Sequence, residues 1–308
     1  MWEILAPAKI NLFLEVLGRR ADGYHDIRSV VVPISIHDVL RIEKTDGALV
    51  TETAWNGSLH DDDPCATDPE CNLVMRAARA LKNATGYKEG ARLTLEKRIP
   101  AGGGLGGGSA DAAATLAGLN AAWGTGLSRE RLMALGAEVG CDVPALVHGG
   151  AVLMEGRGDQ ISAIRFRLSA FHLVVVNPCF SVCTRDIYSR YTPSLTSERP
   201  DFRNMVSALE AGDVAAAGRL LFNGLQETVF RKYPLIEMTA EALRKAGSSG
   251  VLLCGSGASV FGLVRDEAHA RAVAERVGTD LGAPAWIRTA RALPDGVMVA
   301  HGPLEARV

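Results

Sequence analysis

From residue 10 to residue 17 the side chains alternate, with Ile10, Leu12, Leu14 and Val16 on one face and Asn11, Phe13, Glu15 and Leu17 on the other. A period of two predicts a strand. Residues 19–23 form a turn cluster, and β-branched runs at 30–36 and 39–42 continue the sheet. Residues 55–70 are polar, acidic and proline-containing, which reads as a hairpin tip or long loop, with Asp61 to Asp63 simply solvated. The pattern then changes to helical spacing over 72–84, with Asn72 available as N-cap. Leu93 and Leu95 mark another strand, stopped by Pro100, and a run of glycines precedes an Ala/Leu-rich helix over 110–123. A further helix is expected over 128–139 and a strand over 145–154.

Residues 156–169 read as a boundary. Beyond it a buried strand is expected at 173–176, helices over 201–222 and 234–246, and a hairpin from 249–254 and 258–264 around a Gly-Ser-Gly turn. A helix over 267–277 and a strand over 285–290 follow. The second half is therefore expected to be α+β, with helices against an antiparallel sheet. A length of 308 residues suits two domains, here 1–160 and 161–308.

Composition narrows the classes. With 47% hydrophobic and 22% charged residues the chain builds a core and is not disordered. Thirty-three basic against thirty-five acidic residues, a net charge of −2, argues against a nucleic-acid or membrane-surface partner. No stretch approaches the roughly 18–20 apolar residues of a membrane span, and the N-terminus lacks a signal-peptide pattern. The six cysteines form no C-x-x-C pair, which favours reduced thiols in a cytoplasmic protein.

The strongest local signal is Gly102-Gly103-Gly104-Leu105-Gly106-Gly107-Gly108-Ser109, with six glycines in seven positions between a strand and a helix. Such a backbone reaches positive φ freely and can turn its N–H groups inward, while the following helix adds its own unpaired amides. Anionic phosphate is the natural ligand, and a mere turn would not repay the conformational entropy of six glycines. No Lys follows, so the segment is not a P-loop. Gly102, Gly104 and Gly107 fit G-x-G-x-x-G, but the next element is a helix where a dinucleotide fold needs a strand.

Four weaker signals accompany it. Lys9 and Asn11 share one strand face, although a lone Lys there is ordinarily a solvated edge residue. Asp142, in Gly-Cys-Asp-Val-Pro, is on its own a cap or turn residue. Tyr24 and His25 follow Asp22-Gly23 in what would otherwise be a surface turn. Gly255-Ser256-Gly257 is most simply a hairpin connection.

In order and approximate spacing, these five elements resemble the GHMP kinases, and the resemblance covers residues 7 to about 262. It implies a ribosomal-protein-S5-like α/β N-terminal domain for ATP binding and catalysis, and a ferredoxin-like α+β C-terminal domain for substrate binding. The Asp-Gly-Tyr-His element implies the branch that phosphorylates the tertiary 2-hydroxyl of a cytidine diphosphate sugar alcohol in the non-mevalonate isoprenoid route. Lys9 and Asp142 are then the catalytic residues. Pro100, Ala101, Gly102, Gly103, Gly104, Leu105, Gly106, Gly107, Gly108, Ser109 and Ala110, with Asn72 and Lys97, bind ATP. Asn11, Tyr24, His25, Gly255, Ser256 and Gly257 bind the substrate. ATP comes with Mg2+, held mainly by phosphates, water and Ser109, since no carboxylate cluster stands out as a metal site. A monomer or weak homodimer is expected. Ala110, Cys141 and Ala145 depart from the family pattern, where a second Ser, an Ala or Ser, and an aromatic are usual. Three alternatives stay open: another small-alcohol kinase of the family, a nucleotide-sensing module, or an S5-like RNA binder, the last disfavoured by the charge balance.

Overall fold

The computed structural model describes residues 1–55, 71–165, 171–192, 200–282 and 284–301. Strand β1 (Trp2–Arg19) turns at Gly23, φ 87°, into β2 (His25–Thr45), and the two pair antiparallel along most of their length. Then come β3 (Val50–Trp55), α1 (Leu73–Thr85), β4 (Gly90–Lys97), α2 (Gly107–Trp123), α3 (Arg129–Val139), α4 (Val143–His148), β5 (Val152–Gly156) and β6 (Gln160–Ala163). The second half contains β7 (His172–Asn177), α5 (Thr184–Arg190), α6 (Phe202–Ala211), α7 (Val214–Arg219), β8 (Phe222–Asn223), α8 (Gln226–Lys232) and α9 (Pro234–Lys245). It ends with β9 (Gly250–Leu253), β10 (Val260–Val264), α10 (Glu267–Leu281), β11 (Trp286–Arg291) and β12 (Met298–His301).

Two sheets result. The first has the order β12-β1-β2-β4-β3, with β5 on β2, β6 on β5 and β8 on β1. The second, β11-β7-β10-β9, is antiparallel throughout and follows a β-α-β-β-α-β course. Strands β8 and β12 thus lie in the first sheet although they follow β7 in sequence. Between β1 and β2 the register shifts at Pro7/Lys9 and again at Asn11/Phe13. Bulges re-aim side chains, and these two bracket a short regular stretch in which Lys9 and Asn11 face the same way.

The core is divided accordingly. Ile4, Leu40, Ile42 and Leu93 of the first sheet pack against Leu81, Leu116, Leu119 and Leu132 of the helices. The far end of β1 contributes Ile10, Leu12 and Phe13 to a second cluster that also holds Leu173, Val175 and Phe261 of the second sheet. The two halves therefore share apolar contacts rather than meeting only at a polar surface. Helix α2 is buried nearly all round, and its small residues let it lie close to the sheet.

Most expected elements are present, and two are corrected. Residues 145–154 are not one strand: Pro144 sits in the first turn of the short helix α4, then Gly149 and Gly150, both at positive φ, separate it from β5. Residues 201–222 are two helices, because Gly212 closes α6 in the left-handed conformation and Asp213 caps α7. Most of the expected acidic loop, residues 56–70, lies outside the described residues. Among the described residues, Cys141, Cys183 and Cys254 are free thiols, and no helix is long and apolar enough to cross a membrane.

The seat of α2 yields a direct test. A Cβ on Gly118 would lie 2.6 Å from Ile42 Cδ1 and 2.8 Å from Ile4 Cγ1. Gly118→Val should therefore destabilise the fold by about 1–3 kcal/mol through overpacking, read as a lower denaturant midpoint; an unchanged midpoint would mean that α2 rides off the sheet at no cost.

Candidate active site

The glycine segment leaves β4 and enters α2. Gly102, Gly104 and Gly106 take φ of 61°, 75° and 69°, whereas Gly103, Gly107 and Gly108 do not need positive φ. Close approach is the second reason for glycine: a Cβ on Gly104 would fall 1.9 Å from the Cys254 carbonyl oxygen, and one on Gly106 would fall 2.9 Å from Lys9 Cγ. The Gly102 carbonyl accepts from Val182 N at 3.1 Å and Ala258 N at 3.3 Å, and the Gly103 carbonyl accepts from Ser259 N at 3.0 Å. Lys9 N donates to the Leu105 carbonyl at 2.9 Å. With these carbonyls directed into the protein, the first-turn amides of Gly107, Gly108 and Ser109 are left without intrahelical acceptors, as at any helix start. The result is an anion cradle.

Lys9 and Asp142 are brought together at this loop. Lys9 Nζ lies 3.4 Å from Asp142 Oδ2 and donates to Asn11 Oδ1 at 2.8 Å. The Lys9 side chain is 5% exposed and that of Asp142 32%, so the carboxylate forms the open side of the pair. Asn11 is oriented in turn by donating to Ser29 Oγ at 2.8 Å, which donates to the Phe13 carbonyl at 2.7 Å. Asp142 stands at the start of α4 without capping it. A Cβ on the preceding Gly140 would lie 3.8 Å from Ser109 Oγ, so the hydroxyl of the glycine run is close by. Gly255 completes the cluster, because a Cβ there would meet Gly104 O, Lys9 Nζ and Asn11 Oδ1 at 3.2, 3.4 and 3.6 Å. Ser256 is buried and shares a 2.8 Å hydrogen bond with Thr184; the peptide after Gly257 is cis.

Tyr24 and His25 lie at the β1–β2 turn. Tyr24 is 53% exposed, with the Arg157 guanidinium 5.9 Å from its ring centroid. The His25 ring lies 5.2 Å from that of Tyr188, and burial together with the Arg19 charge pushes its pKa down. A lowered pKa keeps the imidazole neutral at neutral pH, with one donor and one acceptor. Burial and the charges of Asp142 and Cys141 push the Tyr188 phenol up. Tyr188 therefore packs against the aromatic turn and lies within electrostatic reach of Asp142. It sits on a seven-residue helix, too short to announce itself by periodicity.

Asn72 caps α1, accepting from Val74 N at 2.9 Å and Met75 N at 3.3 Å, and Leu73 beside it faces Gly108. Lys97 is turned inward. Its ammonium donates to Asp38 and, at 2.6 Å, to Asp111, and all three side chains are buried. Asp38 also accepts from the backbone N–H groups of Arg98 and Ile99, so the triad fastens the strand entering the loop to the helix leaving it. Neither acid was anticipated from sequence, although Asp111 is the one charged residue between 110 and 123.

Fold and loop together define a class. The GHMP kinases N terminal domain matches residues 72–150, the GHMP kinases C terminal domain matches 205–283, and the chain belongs to the GHMP kinase family. A relative from Pelotomaculum thermopropionicum, a 4-diphosphocytidyl-2-C-methyl-D-erythritol kinase, is 40% identical over 272 residues, which is 88% of this chain and 92% of that one. One of the same name from Symbiobacterium thermophilum is 40% identical over 288 residues, 92% of this chain and 98% of that one. The crystal structure of a 4-(cytidine 5'-diphospho)-2C-methyl-D-erythritol kinase is similar with a TM-score of 0.73 and 33% identity, covering 94% of this chain and 99% of that one. Homoserine kinase from Cytophaga hutchinsonii has a TM-score of 0.76 at 18% identity, covering 97% of this chain and 96% of that one, a likeness of fold alone.

The buried triad has a consequence for pH. Burial, with Asp38 adjacent, pushes Asp111 well above the usual carboxylate range despite Lys97, so in the fold its carboxyl keeps a proton over a range in which a free carboxyl has lost it. Unfolding releases that proton at pH values between the ordinary 3.8 and the raised pKa. Wild-type stability should therefore fall as pH climbs from there toward the raised pKa. Asp111→Asn has no such proton, and its stability relative to wild type should improve with rising pH, by up to about 1.4 kcal/mol per pH unit, from the ordinary carboxylate range up to the raised pKa. Denaturation curves at several pH values read this, and parallel profiles would show Asp111 to be ionised in the fold.

Proposed function

We propose that the chain transfers the γ-phosphoryl group of ATP to the 2-hydroxyl of 4-diphosphocytidyl-2-C-methyl-D-erythritol, in the non-mevalonate route to isoprenoid precursors. The observation that carries this reading is the Lys9–Asp142 pair set against the glycine loop, with Tyr188, packed on His25, within electrostatic reach of Asp142. Residues 1–160 carry ATP binding and catalysis. Residues 161–308 complete the acceptor side and supply the turn that packs on the loop. The enzyme acts in the cytoplasm as a monomer or weak homodimer.

The first-turn amides and Ser109 receive the phosphates, with residues 100–110 forming the wall and Asn72 standing toward the nucleoside. Lys97 contributes by holding the loop's two stems, its ammonium being engaged by Asp38 and Asp111. Among the described residues no three His, Cys, Asp or Glu side chains converge on a metal. The hard hydroxyl oxygen of Ser109 nevertheless fits Mg2+ held mainly by phosphate oxygens and water. When bound, the ion would neutralise phosphate charge.

Phosphoryl transfer passes through a loose transition state, so the protein's task is alignment and charge stabilisation. Lys9 has three N–H donors. One goes to Asn11 and one is directed at Asp142, leaving a third for the hydroxyl or the transferring group. Asp142, the open partner, orients the tertiary hydroxyl and accepts its proton late. Tyr24 stacks on the cytosine, His25 bonds its edge, and Asn11 and the 255–257 turn close the sugar-alcohol end.

ADP release should be rapid with the cytidyl acceptor and slow with methylerythritol phosphate, mevalonate or homoserine. Asp142→Asn and Lys9→Met should each lower kcat by about 10²–10⁴ with ATP affinity little changed. The double variant should be far from additive if the pair acts as a unit. A folded Asp142→Asn enzyme keeping more than about a tenth of wild-type kcat would exclude the base role.

The acceptor side has its own test. Base–aromatic stacking is worth about 1–3 kcal/mol, so Tyr24→Ala should raise the acceptor KM roughly 5–150-fold and leave the ATP KM unchanged. Should the ATP KM rise instead, the turn belongs to the nucleotide donor.

A further inference from the structure

We infer that Arg157 selects a phosphorylated acceptor, its guanidinium taking the diphosphate that joins the base to the sugar alcohol. This rests on the assignment of the Tyr24–His25 turn to the cytidine. Arg157 lies in the turn between β5 and β6, flanked by Gly156 and Gly158 at φ 66° and 104°. That turn is anchored beside the catalytic pair, since a Cβ on Gly158 would lie 3.5 Å from the Cβ of Cys141, the residue preceding Asp142. In the other direction the guanidinium reaches the Tyr24 ring, 5.9 Å from its centroid, within cation–π range. The side chain thus spans from the residue that stacks the base toward the carboxylate that meets the hydroxyl. In the acceptor, the diphosphate occupies the corresponding interval.

Three nearby cations are engaged. Lys9 serves Asn11 and Asp142; Arg20 is held by both Asp22 and Asp26; Arg28 pairs with Glu155 and lies over the Phe202 ring. Arg157 uses only Nε, donating to Asp159 at 3.0 Å, and its side chain is 37% exposed. Among the described residues its two Nη groups have no protein acceptor. A planar fork steadied on one edge and open on the others grips phosphate oxygens bidentately.

Calorimetric titration of the full chain with cytidine, CMP and CDP tests this without turnover. Wild type should bind CDP at least about tenfold more tightly than cytidine, the low end for a charge-assisted contact. Arg157→Met should abolish that preference while cytidine binds as before, and Arg157→Lys should retain part of it. The exposed Arg19 is the control, and Arg19→Met should keep the preference. The inference is overturned if Arg157→Met keeps the full preference, if it weakens cytidine and CDP by the same factor, or if Arg19→Met loses the preference equally. A wild-type chain that binds none of the three overturns the base assignment, and this inference with it.

Discussion

The glycine loop holds one shape because its carbonyl oxygens are already occupied. Left to itself, such a segment would sample a wide range of φ and ψ. Here the carbonyls of Gly102, Gly103 and Leu105 accept hydrogen bonds from Val182, Ala258, Ser259 and Lys9. Those donors come from β1, from the segment after β7 and from the turn before β10, so three distant parts of the chain agree on one loop conformation. The bond from Lys9 N also ties the backbone that carries the ammonium to the loop. Distance between the reacting groups is therefore set largely by main-chain hydrogen bonds, and side-chain rotamers only refine it.

Two lysines near the loop illustrate what burial decides. Lys9 and Lys97 are both almost fully covered, and both lie against carboxylates. The Lys9 partner is open to solvent at one side, so that pair can meet a substrate. The Lys97 partners are sealed, and burial of Asp38 and Asp111 confines that ammonium to internal work. Charge and proximity in sequence do not distinguish the two.

Legibility in the sequence followed the range of the interactions involved. The period-two pattern of β1 and the glycine run are local, so the sheet, the loop and the shared face of Lys9 and Asn11 could be read directly. That face survives because the bulges fall outside the pair. Helix α4 was hidden because six residues are too few to display a period, although Pro144 in its first turn was a usable signal. The Asp38–Lys97–Asp111 triad joins residues 59 and 14 positions apart. Only the lone acid in an alanine-rich helix hinted at it. Tyr188 and Arg157 reach the site through tertiary contacts with no local signature.

Strand β12 pairs with β1, and β8 pairs with another stretch of the same strand. During synthesis, β1 emerges well before β8 and β12 and must wait for these partners. Until then its outer edge exposes unpaired N–H and C=O groups, a template for pairing with other chains. Contacts so far apart in sequence slow folding through loop-closure entropy. Without β8 and β12 the first half is thus an incomplete sheet, with part of one β1 edge unpaired.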